Sequence, residues 1–307
     1  MSDVTAAALE EAAGPEPLHV GRASDRARWT GAAFKALLLA CLGASVLMLG
    51  TLLVDTGIDG LGRIDSDFIT SPPSFVADNA GIRPALLGTL WLMGVCALFI
   101  IPVGVATAVY LEQYADDSRW WNRAIEVNIQ NLAAVPSIVY GILGLAFLVR
   151  GPLSLGNVVL AGGLTLGLLV LPVVIIAARE AIRAVPPSIA AGSMALGATQ
   201  WQTIWRQILP AAIPGMATGV ILALSRAIGE TAPLIMVGAA TYVAFDPSLN
   251  STFTALPMQI FDWISRPSND VNDYASLAAG GIVVLMVLLL GMNAIAIWLR
   301  NRYEQKW

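Results

Sequence analysis

The chain has 307 residues, of which 57% are apolar, 12% charged and 7% aromatic, with a formal net charge of −4. Soluble domains carry about 25% charged residues, so this composition, with its mean hydropathy of +0.72, excludes an ordinary cytosolic enzyme. An acidic balance, with a pI near 5.0, also excludes a nucleic-acid partner, whose phosphates call for a basic face. The two cysteines, Cys41 and Cys96, lie in apolar stretches and are too few for a disulfide scaffold. The single histidine, His19, lies in the polar N-terminal region, which leaves no His-based metal site or triad.

Residues 1–30 are rich in Ala, Glu, Gly and Pro and are expected to form a disordered cytoplasmic tail. The rest, 31–307, reads as one membrane domain. A bilayer core of about 30 Å takes about 20 apolar residues per helix, and six stretches qualify. They run from Ala32 to Val54, Ala85 to Tyr110, Val127 to Val149, Gly156 to Ala178, Ala211 to Ala240 and Ser276 to Leu299. The first is too long for a cleaved signal sequence and reads as a retained anchor. The fold class is therefore all-α: a polytopic protein with six transmembrane helices.

Basic residues set the orientation. Arg22, Arg26, Arg28, Lys35, Arg119, Arg123, Arg179, Arg183, Arg206, Arg300, Arg302 and Lys306 fall on one side. Only Arg63, Arg83, Arg150 and Arg266 fall on the other. Both termini are thus expected in the cytoplasm. The long external loops, 55–84 and 241–275, are acidic and rich in Pro, Ser, Asp and Asn. They serve either as a docking surface for an outside partner or as solvated connections. Trp120, Trp121 and Trp298 stand at span ends, as interfacial anchors do.

The cytoplasmic loop 179–209 has a pattern of its own. Pro186 and Pro187 end the fourth helix near Val185, and Pro187-Ser188 opens another. Gly197 permits a tight turn. A second helix from Gln200 to Ile208 places Trp201, Ile204, Trp205 and Ile208 on one face, and Leu209-Pro210 closes it before the fifth span. This is a cytoplasmic helix–turn–helix whose aromatic face either folds back on the bundle or fills a groove on a partner.

This loop resembles the "EAA" coupling loop of ABC importer permeases. Gly197, Leu209 and Pro210 match that pattern, Gln207 stands at its Ile, and Ala191, Gly192 and Ser193 stand where Glu-Ala-Ala would be. The missing Glu removes an ion pair with the ATPase but not the shape of the loop. "Val-Pro-Ser-Ile-Val-Tyr-Gly-Ile-Leu-Gly-Leu" (135–145) and "Ser-Arg-Ala-Ile-Gly-Glu-Thr-Ala-Pro-Leu-Ile" (225–235) are similar to signatures of phosphate ABC importer permeases of the PstA type. The resemblance implies a transmembrane permease subunit of an ATP-driven phosphate importer in the bacterial cytoplasmic membrane. It implies a PstC-like partner permease, a PstB-like cytoplasmic ATPase dimer and a PstS-like external phosphate-binding protein. It also implies that Ala191, Gly197, Trp201, Trp205, Leu209 and Pro210 belong to the ATPase-coupling loop.

Arg226 and Glu230 lie at i, i+4 in the fifth span, close enough to pair. A charge there faces a partner or an aqueous path. Arg holds an oxyanion through its fork, and Glu accepts a hydrogen bond from a protonated phosphate while keeping Arg from becoming a trap. The pair, with Thr231, is either the translocation path or an internal salt bridge. Gly229 and Pro233 permit a break there or close packing. Ser137 and Tyr140, with Pro136, Gln130 and Asn131, either line the path or satisfy one another between helices. Gly215–Gly219 and Gly163–Gly167 read as small-xxx-small packing sites.

No Walker lysine motif is present, so ATP is expected to be used by the partner ATPase, and this chain is not expected to be an enzyme or to bind a cofactor or metal. The rival readings are the permease of another oxyanion importer (sulfate or molybdate), an ion-coupled secondary transporter, and a membrane sensor that moves no substrate.

Overall fold

The computed structural model describes residues 25–116, 118–268 and 273–303, and these contain helices and no strand. His19 and most of the tail expected over 1–30 lie outside the described residues, while residues 25–30 already belong to the first helix. The chain divides into two units, Met1–Val54 and Asp55–Trp307. In the first, helix α1 (Asp25–Leu61) leaves Leu37, Leu42 and Leu49 exposed, the all-round apolar surface of a helix made for lipid or protein.

The second unit begins with the last turns of α1 and continues through α2 (Ser66–Thr70) to the long helix α3 (Arg83–Val109), which ends in a π turn, Tyr110–Tyr114. Then come α4 (Trp120–Ala133), α5 (Ser137–Leu143) with a π turn Gly144–Val149, and the central helix α6 (Val159–Arg183). Short α7 (Pro187–Ala195) and α8 (Gln200–Thr203) form the hairpin that precedes α9 (Leu209–Ile228). The chain closes with α10 (Ala232–Val237), α11 (Leu256–Ile264) and α12 (Tyr274–Tyr303).

Among the described residues five helices are long and apolar enough to span a membrane: Trp29–Leu61, Arg83–Tyr114, Val159–Arg183, Gln200–Ile228 and Tyr274–Arg302. A sixth follows if α4 and α5 count as one bent span.

Small residues bring the spans together around α6. A methyl group added at Gly163 would lie 2.6 Å from Val95 Cβ, and one at Gly167 would lie 2.6 Å from Phe99 Cδ1, both on α3. On its other flank α6 presents Ala177 and Ala181 to Gly219 and Gly215 of α9. Both small-xxx-small pairs therefore act inside this chain, where lost side-chain volume becomes close backbone approach.

Three expected elements change. The third span is not one helix from Val127 to Val149: α4 and α5 meet at 110° across Ala134-Val135-Pro136. Pro136 holds φ at −55° and disfavours helical Val135. The fifth span does not run to Ala240, because α9 stops at Ile228 and only short α10 follows. The second loop helix is not closed by Leu209-Pro210; it continues into α9 through a π turn at Ile204–Ile208, just before Pro210 withdraws its N–H from the ladder.

The two loops expected outside, 55–84 and 241–275, are folded where described. Phe75 stacks on Tyr242 at 4.9 Å, and the Tyr274 hydroxyl donates to the Phe75 carbonyl at 2.7 Å. Arg266 covers both Phe75 and Tyr274 and pairs with Asp262 at 2.7 Å. Arg83 pairs with Asp246 at 2.5 Å. Phe253, Thr254 and Leu256 are fully buried, and the Leu256 N–H donates to Thr89 Oγ1 at 2.8 Å. These loops are therefore not featureless solvated connections.

Candidate functional site

Two broken elements build the centre of the site. The ladder of α9 ends because Pro233 has no N–H for the Gly229 carbonyl and restricts Ala232 before it. Gly229 caps the helix at φ −86°, ψ −3°, and the Glu230 N–H still reaches the Ala227 carbonyl at 3.3 Å. Glu230 and Thr231 thus occupy the break itself, and Arg226 occupies the last turn of α9.

Arg226 Nε lies 3.4 Å from Glu230 Oε1. The arginine side chain is 44% exposed and the carboxylate 19%, so the pair is turned partly outward. After six residues α10 ends at Gly238, whose φ of +88° is open to glycine.

Helix α10 sits against α5. A methyl group at Gly141 would lie 2.7 Å from Pro233 Cα and 2.8 Å from Met236 Cβ, so only glycine lets the two backbones touch. Tyr140, beside Gly141, is 5% exposed, and its hydroxyl donates to the Leu132 carbonyl at 2.8 Å. That carbonyl is among the last of α4 and also accepts from the Val135 N–H at 3.1 Å, so Tyr140 ties the two arms of the bend. Tyr140 also interacts electrostatically with Arg226. Ser137, the first residue of α5, is partly exposed. The fold therefore brings Tyr140, Gly141 and α10 together beside the Arg226–Glu230 break, while Gln130 and Asn131 stay exposed on α4.

A polar seam supports α9 from α12. The Ser225 hydroxyl contacts Asn293 Oδ1 at 2.5 Å, and Arg300 Nη1 donates to Thr218 Oγ1 at 3.3 Å. Residues 218 and 225, like 293 and 300, are two helical turns apart, as an antiparallel pair requires. Asn293 escaped the sequence reading because one Asn in an apolar run has no local signature.

At the other end, Gly197 turns the hairpin with φ +87°. Thr199 caps α8 in a reciprocal capping box with Gln202, and the Ser193 and Thr203 hydroxyls meet at 2.9 Å. Helix α7 has no buried residue: Ala191 is exposed and Leu196 is 92% exposed. A cleft of about 440 Å³ opens along it, with Gly192, Ser193, Leu196, Gln202 and Arg206 on its walls.

The aromatic face is divided. Ile204 and Ile208 are buried, at 1% and 4%, in a cluster with Ala178, Ile182 and Ala212. Trp201 and Trp205 meet edge to face at 5.3 Å and line an apolar groove of about 500 Å³ with Pro102, Val105, Tyr110 and Tyr114 of the second span. The π turn advances the register and separates the two pairs. Leu209 and Pro210 are half-buried at the start of α9.

Sequence reasoning also missed Glu112 and Glu126. Arg179 lies 2.9 Å from Glu126 and 3.5 Å from Glu112, and Arg183 grips Glu112 through two nitrogens at 3.0 and 3.1 Å. In the sequence Arg179 and Arg183 read only as positive charges that set the expected orientation. Among the described residues no group of His, Cys, Asp and Glu has the arrangement of a metal site.

Known proteins are similar to this chain in sequence and in fold. A probable ABC transporter permease protein, YqgI of Bacillus subtilis, is 31% identical over 81% of this chain and 87% of its own length. The phosphate transport system permease protein PstA 1 of Mycobacterium tuberculosis is 33% identical over 72% of this chain and 70% of its own. A bacterial alginate ABC transporter structure superposes with a TM-score of 0.66, covering 91% of this chain and 98% of its own at 17% identity. The MetNI methionine ABC transporter superposes at 0.59 over 72% and 95%, also at 17% identity. These two establish the fold. Residues 100–307 match the binding-protein-dependent transport system inner membrane component family. The chain belongs to that family and is a membrane-embedded transport subunit.

Proposed function

We propose that this chain is the PstA-like half of an ATP-driven phosphate importer. The observation that carries the reading is the Arg226–Glu230 pair at the break between α9 and α10, in a span of a family permease. The guanidinium offers a fork for two phosphate oxygens. Glu230, 3.4 Å away, accepts a hydrogen bond from the P–OH of a protonated phosphate and weakens the grip enough for release. Thr231 and Ser137 extend the same polar surface, and Tyr140, buried with its hydroxyl on the Leu132 carbonyl, supports it from behind.

In this reading the other half of the path is a PstC-like permease. A PstS-like protein delivers phosphate outside. A PstB-like ATPase pair supplies the energy and seats the exposed α7 hairpin, with Ala191 and Leu196 at the contact and Gly197 holding its turn. Trp201 and Trp205, 58% and 53% exposed on the groove beside the second span, add to the ATPase contact, and Leu209 and Pro210 carry the motion toward the membrane. Both termini are cytoplasmic, and ATP is consumed by the partner alone.

The test is uptake of labelled phosphate at micromolar concentration in cells with the gene deleted and then restored. Loss and rescue, undiminished by sulfate or molybdate, supports phosphate. Competition by either anion replaces it with that oxyanion. With expression matched, Arg226→Gln raises the KM for phosphate at least as much as it lowers the maximal rate; unchanged kinetics remove Arg226 from the path.

A further inference from the structure

The cytoplasmic hairpin is fastened at both ends to one short π turn. On its incoming side Arg183, the last residue of α6, holds Glu112 through two nitrogens at 3.0 and 3.1 Å. Arg179, one helical turn earlier, lies 3.5 Å from the same carboxylate and 2.9 Å from Glu126 of α4. On its outgoing side Gln200, the first residue of α8, donates its side-chain amide to the Gln113 carbonyl at 2.6 Å. Glu112 and Gln113 are neighbours in the Tyr110–Tyr114 turn that ends α3.

The inner contact of this set is shielded, while Arg183 and Gln200 stand at an exposed rim. Arg179 and Glu112 are 13% and 16% exposed, so their interaction is screened less than that of an exposed pair. Helix α3 beyond the turn has 27 residues and is about 40 Å long at 1.5 Å per residue. Its external end is tied to the loop before α11 by Arg83–Asp246 and by Thr89 with the Leu256 N–H.

We propose that Glu112 is a positioning residue that couples the hairpin to α3, so that a displacement of the hairpin moves α3 together with α6 and α9. The inference rests on the reading that the ATPase acts on this hairpin. It adds a third element, one not continuous with the hairpin in sequence, and it gives the motion a direct route to the external loop. Glu112 touches no substrate in this account; it acts through Arg179 and Arg183.

The test uses the complete transporter in proteoliposomes with ATP inside or outside as its orientation requires. In Glu112→Gln, ATP hydrolysis continues while phosphate moved per ATP falls about 2- to 30-fold, the range carried by single links in coupling networks. Gln200→Ala, at an exposed position that folding tolerates, produces a smaller loss of the same kind. A parallel fall of hydrolysis and transport in both variants, or an unchanged ratio in both, overturns the proposal.

A second readout does not depend on phosphate. Spin labels at the exposed positions Leu196 and Leu98, in a background with Cys41 and Cys96 replaced by Ser, keep a constant separation through the ATP cycle when Glu112 is intact. The separation changes in Glu112→Gln. A separation that already changes with Glu112 intact overturns the coupling, whatever the substrate. Absent phosphate uptake with a constant separation overturns the substrate reading and leaves the coupling standing.

Discussion

Replacing Gly141 by Ala tests whether the contact between α5 and α10 holds the site. The new methyl carbon would lie 2.7 Å from Pro233 Cα and 2.8 Å from Met236 Cβ. Carbon atoms rest at about 3.5–4.0 Å, so the helices must separate by about 1 Å. One obstacle is backbone, which has no rotamer to give, and overpacking of this kind costs about 1–3 kcal/mol. Helix α10 starts two residues after Glu230, so the shift falls on the 3.4 Å contact between Glu230 and Arg226. Misplacement of a reacting group by about 1 Å costs on the order of 100-fold in catalysis; for transport we expect at least a tenfold fall in uptake. Gly94→Ala is the control, because nothing lies within 4 Å of its added methyl group. The assay is labelled-phosphate uptake at matched membrane abundance, with thermal unfolding of the purified complex alongside. Equal uptake in the two variants refutes the claim that this packing sets the geometry of the break.

Other outcomes follow from the same packing and hydrogen bonds. Gly215→Ala places a methyl group 2.7 Å from Ala181 Cβ and lowers thermal stability by about 1–3 kcal/mol. Ala181→Gly in the same chain restores most of it, and a double-mutant cycle without coupling rejects the packing of α9 on α6. Tyr140→Phe removes the bond across the bend while the Val135 N–H still serves the Leu132 carbonyl, and costs about 0.5–1.5 kcal/mol, read by denaturant or thermal unfolding. Asp273 caps α12 by accepting from the Ser276 N–H at 3.1 Å, and that bond holds its carboxyl below the usual carboxylate range. A depressed folded pKa means the contribution is complete above the unfolded value of about 3.9 and is lost as pH falls through the folded one. Asp273→Ala therefore costs about 1 kcal/mol at pH 7 and progressively less as pH falls through the folded value, as paired melting curves taken downward from pH 7 reveal.

Much of this molecule is written locally along the chain. Five spans announce themselves by length and hydropathy, Gly197 marks a turn that needs positive φ, and Gly229 with Pro233 permits the break where α9 stops without deciding between it and close packing. The approach of Arg226 to Glu230 follows from a spacing of four residues. Each of these depends on neighbours within about two helical turns, so the order of residues suffices to specify it.

Long-range partnership is different. Arg83 meets Asp246, Glu112 meets Arg183 and Ser225 meets Asn293 across 163, 71 and 68 positions, and each of these charges or hydroxyls has other partners of equal chemistry in the chain. Which one it finds depends on how α3, α6, α9 and α12 pack, and that packing is set by glycine and alanine contacts whose partners lie on other helices. The 110° bend at Pro136 and the turning of Trp201 and Trp205 toward the second span have the same origin. Pro136 and the π turn permit these geometries; burial of Ile204 and Ile208 and the bond from Tyr140 to Leu132 select them.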